Sequence, residues 1–353
     1  MITSLKIIIR AEHLLEVSLF FATITVGLLA FIVFYLIDFV KRKRKREHLR
    51  SIYSSFLSEI ILCDTKEELL ECIDKPYIQS IRKRWLYDET ARSLLIREMV
   101  RAAKSLSGGA QDNIIWLYTY LEFQQDNLKR LQSKSWHVKS RSIQELAEMK
   151  QTDLITRIYR ETNNRNKYIR AEAQIAVVKL TGFDGLRFLT VLSQPISVWQ
   201  QICLLEQLPP FGIEGEKVTK WLRSTNESVI EFALRLIQRY QLYDQLAAVI
   251  SFLEHPSKSV RLQAVQTIKE LDLEGTVAEL QKELPEASLI FKQSFLLLAG
   301  SLEAIDSIPI LQSLITDKEE AIKTEAHQLI QRLTNTLPEN QQLSLISTTN
   351  PAR

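Results

Sequence analysis

The side chains that could carry chemistry are scattered along this sequence. None of the histidines lies four residues from another or beside cysteine and aspartate ligands, as metal sites require; they are His13, His48, His137, His255 and His327. Ser107, Gly108 and Gly109 are not followed by the Lys and Ser/Thr of a phosphate loop, and no Gly-x-Ser-x-Gly motif occurs. We therefore predict no catalytic residue, no metal, no cofactor and no small-molecule substrate.

The composition predicts a large helical protein without disulfides. The chain has 353 residues, of which 46% are hydrophobic, with only 9 Gly and 9 Pro to interrupt helices. Cys63, Cys72 and Cys203 are odd in number and lack metal or redox spacing, which favours buried, reduced thiols in a reducing compartment. The fold class is therefore predicted to be all-α.

Positive charge is concentrated in one run. The formal net charge is +3, and six consecutive basic residues contribute +6, so the rest of the chain stands at −3. A nucleic-acid-binding solenoid needs an excess of basic residues outside such a run, so the acidic remainder argues against nucleic acid as a partner. The basic residues are Lys41, Arg42, Lys43, Arg44, Lys45 and Arg46.

A membrane-spanning helix is predicted for residues 17–40. The 21 residues 17–37 contain no charge, and at about 1.5 Å per residue a helix of that length crosses the roughly 30 Å hydrocarbon core. A cleaved signal peptide would have a shorter apolar region and a small-residue cleavage site, and a buried core helix would normally have a polar face.

The flanks of this span predict its orientation. Before the span, Lys6 and Arg10 are offset by Glu12 and Glu16, whereas the basic run follows it in residues 41–47. We expect the short N-terminus, residues 1–16, to be extracytoplasmic and the C-terminal body to be cytoplasmic, with the basic run at anionic lipid headgroups.

A repeated pattern occupies residues 133–337. A β-branched or aliphatic residue is followed four places later by a small residue and eight places later by a large aliphatic one. The intervals between successive units are 31, 29, 31, 31, 30 and 32 residues. A near-constant period predicts a stacked array, here of helix, turn, helix. The first positions of the pattern are Val138, Ile169, Val198, Val229, Val260, Ile290 and Ile322.

Three second helices carry a resemblance to a known family. The segments HPSKSVRLQAVQTIKEL (255–271), NKYIRAEAQIAVVKL (166–180) and KEEAIKTEAHQLIQRL (318–333) resemble the second half of a HEAT repeat. The resemblance implies a right-handed α-α superhelix, a HEAT-like or armadillo-like solenoid. In that family an arginine after the valine helps form a ladder along the stack. The matching positions here are Lys139, Arg170, Trp199, Ile230, Arg261, Phe291 and Lys323, so the ladder is broken at three of them.

The remaining segments are assigned by pattern. Residues 48–132 have amphipathic helical stripes without the repeat signature and are predicted to be a divergent first part of the solenoid. Residues 338–353 are predicted to be a flexible tail. The aromatic residues between 116 and 123 are expected to pack between helices. Arg82, Lys83 and Arg84 are expected either to contact anionic headgroups or a partner, or to form a solvated face close to the membrane.

A solenoid exposes a long surface suited to protein partners, so we predict a membrane-anchored scaffold or regulatory subunit. Its partner would be a membrane protein or a membrane-recruited regulator. By analogy of architecture, the plan suits a bacterial inner membrane, with an envelope polysaccharide glycosyltransferase as one client. The alternative is a HEAT-like lyase or chaperone acting on a protein-bound bilin chromophore. The predicted partner-binding residues are Arg170, Gln174, Arg235, Arg261, Gln266, Lys292, Lys323 and Arg332.

Overall fold

The structure is a computed structural model, and none of the residues that it describes lies in a β-strand. The all-α class is therefore confirmed. The predictions for residues 1–10, for Arg82, Lys83 and Arg84, and for the tail 338–353 fall outside the described residues. These are residues 11–76, 78–79, 88–212, 215–271, 274–301 and 304–336.

The described chain divides into two compact units. Unit 1 reaches to Lys129 and includes Glu148–Lys150, and unit 2 holds the remainder. Unit 1 has its own hydrophobic core, and the assignment of residues 48–132 to the solenoid stays a prediction. The helices up to the boundary are α1 (Ala11–Ile61), α2 (Lys66–Asp74), α3 (Glu89–Ser105), α4 (Gly109–Tyr120) and α5 (Gln124–Leu131), and the boundary falls within α5.

Helix α1 changes character along its length. Its described side chains between residues 17 and 40 are exposed and mostly apolar, whereas apolar residues recur on one face from Leu49 onward. On that face Leu49, Tyr53, Phe56 and Ile60 are buried in the core of unit 1. One continuous helix therefore carries the predicted span, the basic run and part of the core.

The helical pattern of residues 113–131 is divided between two helices, α4 and α5. Glu122 adopts a left-handed backbone with φ 55°, and the Phe123 N–H donates to the Tyr118 carbonyl, the bond that closes a helix end. Phe123 and Tyr118 are buried edge to face, which explains why the chain turns there. Of the aromatic cluster, these two are core residues, while Tyr120 is exposed and stacks on Trp116.

Unit 2 is a succession of helical pairs. Its first helices are short and partly 3-10, as in the segments Thr152–Leu154, Gly182–Thr190, Tyr243–Gln245, Phe252–Glu254 and Leu284–Glu286. Most of them pack against a longer second helix, and several neighbouring second helices also pack on one another, which confirms the repeat solenoid. The helices are α6 (Trp136–Glu148), α7 (Ile155–Tyr159), α8 (Lys167–Thr181), α9 (Val198–Gln207), α10 (Gly215–Leu222), α11 (Glu227–Tyr240), α12 (Leu246–Ser251), α13 (Lys258–Glu270), α14 (Glu274–Glu283), α15 (Leu289–Ala299), α16 (Ala304–Leu314) and α17 (Glu320–Thr336).

The same type of hydrogen bond recurs in five of the turns before the second helices. A side chain two residues before the cap accepts the backbone N–H of the cap residue, which stops the first helix and starts the second. In this way His255 Nδ1 accepts from the Ser257 N–H at 3.1 Å, so His255 is a turn residue. The same bond is made by Ser133, Asn164, Ser224 and Asp317.

The cap residues define the register of the array. They are 31 residues apart except for one interval of 29, between Ser197 and Asn226. This register corrects the sequence pattern in two units, because Val198 and Ile290 are exposed rather than buried. The equivalent positions are Gln200 in α9, where the first buried apolar side chain is Leu204, and the buried Phe291 in α15. The seven cap residues are Ser135, Asn166, Ser197, Asn226, Ser257, Ser288 and Glu319.

Gly185 is required by close approach of two backbone segments. A Cβ atom at this position would lie 2.8 Å from the Val177 carbonyl oxygen and 2.8 Å from the Val178 Cα. We expect Gly185→Ala to destabilise unit 2 by about 1–3 kcal/mol, because backbone cannot move aside as a side chain can. At Gly109 an added Cβ meets no atom within 4 Å, so Gly109→Ala should stay within about 0.5 kcal/mol. Urea unfolding of both variants measures the difference.

Candidate functional site

Three of the predicted partner-binding residues are buried and are corrected to structural roles. Arg170 donates from Nη1 to the Asn164 carbonyl at 2.7 Å, closing its own turn, and burial lowers the pKa of its guanidinium. Gln174 donates to the Thr162 carbonyl at 2.8 Å and accepts from Gln200. Their polar heads satisfy buried backbone groups, so they are not available to a partner.

Lys292 is the third buried residue of that set. Its Nζ lies 2.8 Å from the Asp317 carboxylate, and the two side chains are only 7% and 9% exposed. Asp317 also accepts the Glu319 N–H at 2.9 Å. The pair joins α15 to the turn of the next unit and is a link along the stack.

The ladder position is the fourth residue after each cap. In this register Gln201 and Lys292 replace Trp199 and Phe291, so the ladder is interrupted by an apolar side chain only at Ile230. Gln201 is buried and accepts from Arg235 Nε at 2.9 Å. The sequence pattern missed this because it aligned aliphatic residues, and the third unit has Gln200 where others have Val or Ile.

The other predicted residues are more accessible. Arg235 and Arg261 are half-buried, and Arg261 donates to the His255 carbonyl at 2.9 Å. Burial lowers the pKa of Arg235, with Glu231 acting against it. Lys323 is half-buried beside exposed Glu320. Gln266 and Arg332 are exposed and remain predicted partner contacts.

An exposed apolar surface follows the starts of three successive second helices. We call it the aromatic edge, and it was hidden in the sequence because the pattern placed Val198 and Ile202 in the core. Trp199 is 74% exposed, and Trp136 stacks on Tyr168 with ring centroids 4.6 Å apart. Large apolar side chains left in water mark interaction sites when they are contiguous. The aromatic edge consists of Trp136, Tyr168, Val198, Trp199 and Ile202.

The surroundings of the aromatic edge are basic. The ammonium of Lys167 lies 5.1 Å from the centroid of the Tyr168 ring, a cation-π distance. Lys134 and Arg165, in the adjoining turns, are exposed. The nearby carboxylate of Glu161 is paired with Lys139 at 3.0 Å. The edge therefore combines aromatic area with positive charge.

Two cysteines lie close together in unit 1, although their spacing in the sequence matches no metal or redox motif. The Sγ atoms of Cys63 and Cys72 are 3.6 Å apart, and both thiols are reduced and half-buried. Burial, with the neighbouring Cys72, raises the pKa of Cys63 to about 11, so the thiol is protonated at neutral pH and is a poor nucleophile. Across the described residues, no three His, Cys, Asp or Glu side chains gather as metal ligands do.

Comparisons with known proteins yield only distant structural likenesses. No family model and no curated protein matches this sequence. The designed armadillo repeat protein YIII(Dq)4CqI aligns over 59% of this chain and 98% of its own, at 16% identity and a TM-score of 0.25. The complex of CpcE and CpcF of phycocyanin lyase from Nostoc sp. PCC7120 aligns over 67% and 94%, at 12% identity and a TM-score of 0.24. Such low scores carry no inference about function.

Proposed function

We propose that this protein is a membrane-anchored scaffold or regulatory subunit that binds a partner protein through the second helices of unit 2. The observation that carries the proposal is the aromatic edge, whose exposed apolar side chains lie in the first two turns of three successive second helices, with Tyr168 and Trp199 both two residues after their caps. Trp and Tyr are enriched among the few hot-spot residues that supply most of the binding energy of protein interfaces.

The anchor is supported by helix α1. It is long and apolar enough to cross a membrane, and none of its most apolar eighteen-residue window is buried. A core helix would be buried, and a signal peptide would end at a cleavage site, whereas α1 continues as helix to Ile61. The basic run follows the apolar segment on the side of the folded units, which favours a cytoplasmic body.

The charge around the aromatic edge favours a particular kind of partner segment. Lys134, Arg165 and Lys167 would attract carboxylates, while Trp136 and Trp199 would bury aliphatic or aromatic side chains. We therefore expect the partner, a membrane protein or a membrane-recruited regulator, to contribute an acidic segment with apolar residues. An envelope polysaccharide glycosyltransferase is one candidate client.

Site-specific photo-crosslinking in the native membrane tests this function. A photoreactive phenylalanine replaces Trp199 in one version and Phe211 in the other; Phe211 is 82% exposed but lies outside the aromatic edge. We expect one membrane protein to be captured from position 199 and not from position 211. The capture should weaken at least tenfold in Trp136→Ser, because loss of an interface aromatic typically costs 2 kcal/mol or more.

Several outcomes would contradict the proposal. Equal capture from both positions would mean that the aromatic edge is not the interface. Recovery of nucleic acid would point to aromatic stacking on bases. A bilin pigment bound equally with and without residues 1–46 would favour the lyase or chaperone alternative.

A further inference from the structure

A basic cleft lies between α1 and α3 within unit 1. Its volume is about 230 Å³. Four of its lining side chains are cationic and one is acidic. Arg42 also pairs with Asp38, one turn earlier on α1, at 2.7 Å, so the cleft and this neighbouring carboxylate together carry an excess of two positive charges. The charged lining residues are Arg42, Lys45, Arg46, Asp88 and Arg97.

Helix geometry selects which basic residues reach the cleft. Arg42, Lys45 and Arg46 stand at positions i, i+3 and i+4, the spacing of one helix face. Leu49, one turn further, is buried and directs that face toward α3. Lys41 and Arg44 belong to the same run but lie off this face and do not line the cleft. The basic run therefore contains some cations that line the cleft and others that do not.

Helix α3 completes the cleft from the other side. Arg97 reaches it from the third turn of α3, where its Nε donates to the Ser93 carbonyl at 3.1 Å. Asp88, the one acid, caps α3 by accepting the N–H groups of Thr90 and Ala91 at 3.0 and 3.1 Å. Its other oxygen lies 3.5 Å from Lys45 Nζ. The cap bond from Ala91, with Lys45, lowers the pKa of Asp88, so one acid offsets one of four cations.

We propose that this cleft binds a phosphate group, carried either by an anionic phospholipid headgroup or by a free phosphate compound. Arginine forks match phosphate oxygens in pairs, and three arginines line the cleft. The volume is below the roughly 300–1,000 Å³ of pockets for larger ligands, which favours a small anion of one or two phosphate groups. Arg42 follows Ile37 by five residues, roughly 8 Å along the helix, which is headgroup depth if the span is embedded. The lipid source rests on the proposed anchoring, and the free phosphate source does not.

The test compares full-length variants with equal charge removed. Lys45→Gln with Arg46→Gln changes the cleft, and Lys41→Gln with Arg44→Gln removes one Lys and one Arg from the same run outside it. Arg97→Gln removes the cation supplied by α3. Native mass spectrometry counts phosphatidylglycerol retained from nanodiscs of phosphatidylcholine and phosphatidylglycerol, and calorimetry in neutral detergent measures pyrophosphate binding. Helical circular dichroism and thermal midpoints confirm that each variant is folded.

We expect both cleft variants to bind roughly tenfold less of one of these anions, because each loses a charge-assisted hydrogen bond. The Lys41/Arg44 variant should lose clearly less of that anion, because it keeps every cation of the cleft. The arm that responds identifies the source of the phosphate. An equal loss of anion binding in all three variants would mean that the basic run attracts anions generally, and it would overturn the proposed site. Absence of binding of either anion would overturn it too. If pyrophosphate binds but the protein does not insert into nanodiscs, the phosphate site is supported and the proposed membrane anchor is contradicted.

Discussion

Removal of residues 1–46 is expected to move the protein from the membrane fraction to the soluble fraction. Residues 17–37 contain fourteen Leu, Ile, Phe and Val side chains. Each favours insertion by about 0.3–0.6 kcal/mol, so together they contribute roughly 4–8 kcal/mol, or at least about a thousandfold in partition. Resistance to an alkaline carbonate wash, which strips peripheral proteins, measures the change.

A control separates insertion from electrostatic attraction. Replacement of Lys41, Lys43 and Arg44 by glutamine leaves the apolar segment intact, so this variant should still resist the wash. Release of the full-length protein by carbonate would mean that α1 does not span a membrane. Retention of the shortened form would place the membrane contact elsewhere in the chain.

Lys292→Met is expected to cost about 3–5 kcal/mol of the free energy of unfolding of unit 2. The substitution preserves apolar packing but leaves the Asp317 carboxylate buried without its cation. Lys323→Met is the matched control, because Lys323 occupies the same position in the next unit but pairs with the exposed Glu320. That variant should change stability by less than about 1 kcal/mol. Thermal unfolding of the version lacking residues 1–46 measures both.

The cost of Lys292→Met should depend on pH. Burial raises the pKa of Asp317, but the hydrogen bonds from Lys292 and from the Glu319 N–H outweigh it and leave the pKa below its ordinary value. A lowered carboxyl pKa stabilises the folded state above the ordinary range, and that contribution is lost as the pH falls. The difference between variant and unmodified protein should therefore shrink below about pH 4. A difference that is constant with pH would mean that lost packing explains the cost. Adding Asp317→Asn should restore part of the stability.

The helical period could be predicted from sequence because apolar residues on the second helices recur with the spacing of the caps. Units with Val229 or Val260 at the first buried position were aligned correctly. The third unit was misaligned because Gln200 occupies that position and the aliphatic residues Val198 and Ile202 face solvent. In that alignment Glu206 lies eight places after Val198, where the pattern requires a large aliphatic residue, and this mismatch was the signal that the alignment had slipped.

The candidate site was harder to predict, because burial is decided by tertiary packing rather than residue type. Arg170, Gln174 and Lys292 are polar, so sequence reasoning placed them on the surface, but each satisfies a group that packing had buried. Trp199 is aromatic, and its high exposure follows only from the corrected register. The approach of Cys63 to Cys72 depends on how α2 folds back beside the end of α1, which their spacing does not indicate.

Helix α1 is continuous, so it would connect the proposed membrane span to unit 1 as one rigid rod. Its 51 residues extend roughly 76 Å, and no hinge of glycine or proline lies between the apolar segment and Leu49. Tilt of the embedded half would be transmitted to unit 1 without a flexible joint to absorb it. The rotation of these units of structure about the helix axis is fixed as well. Each residue inserted between Arg46 and Leu49 would turn the three α1 cations of the basic cleft by roughly 100° about the axis relative to α3. If α1 spans a membrane as proposed, the length of this connection sets both the height of unit 1 above the bilayer and the direction in which the basic cleft faces.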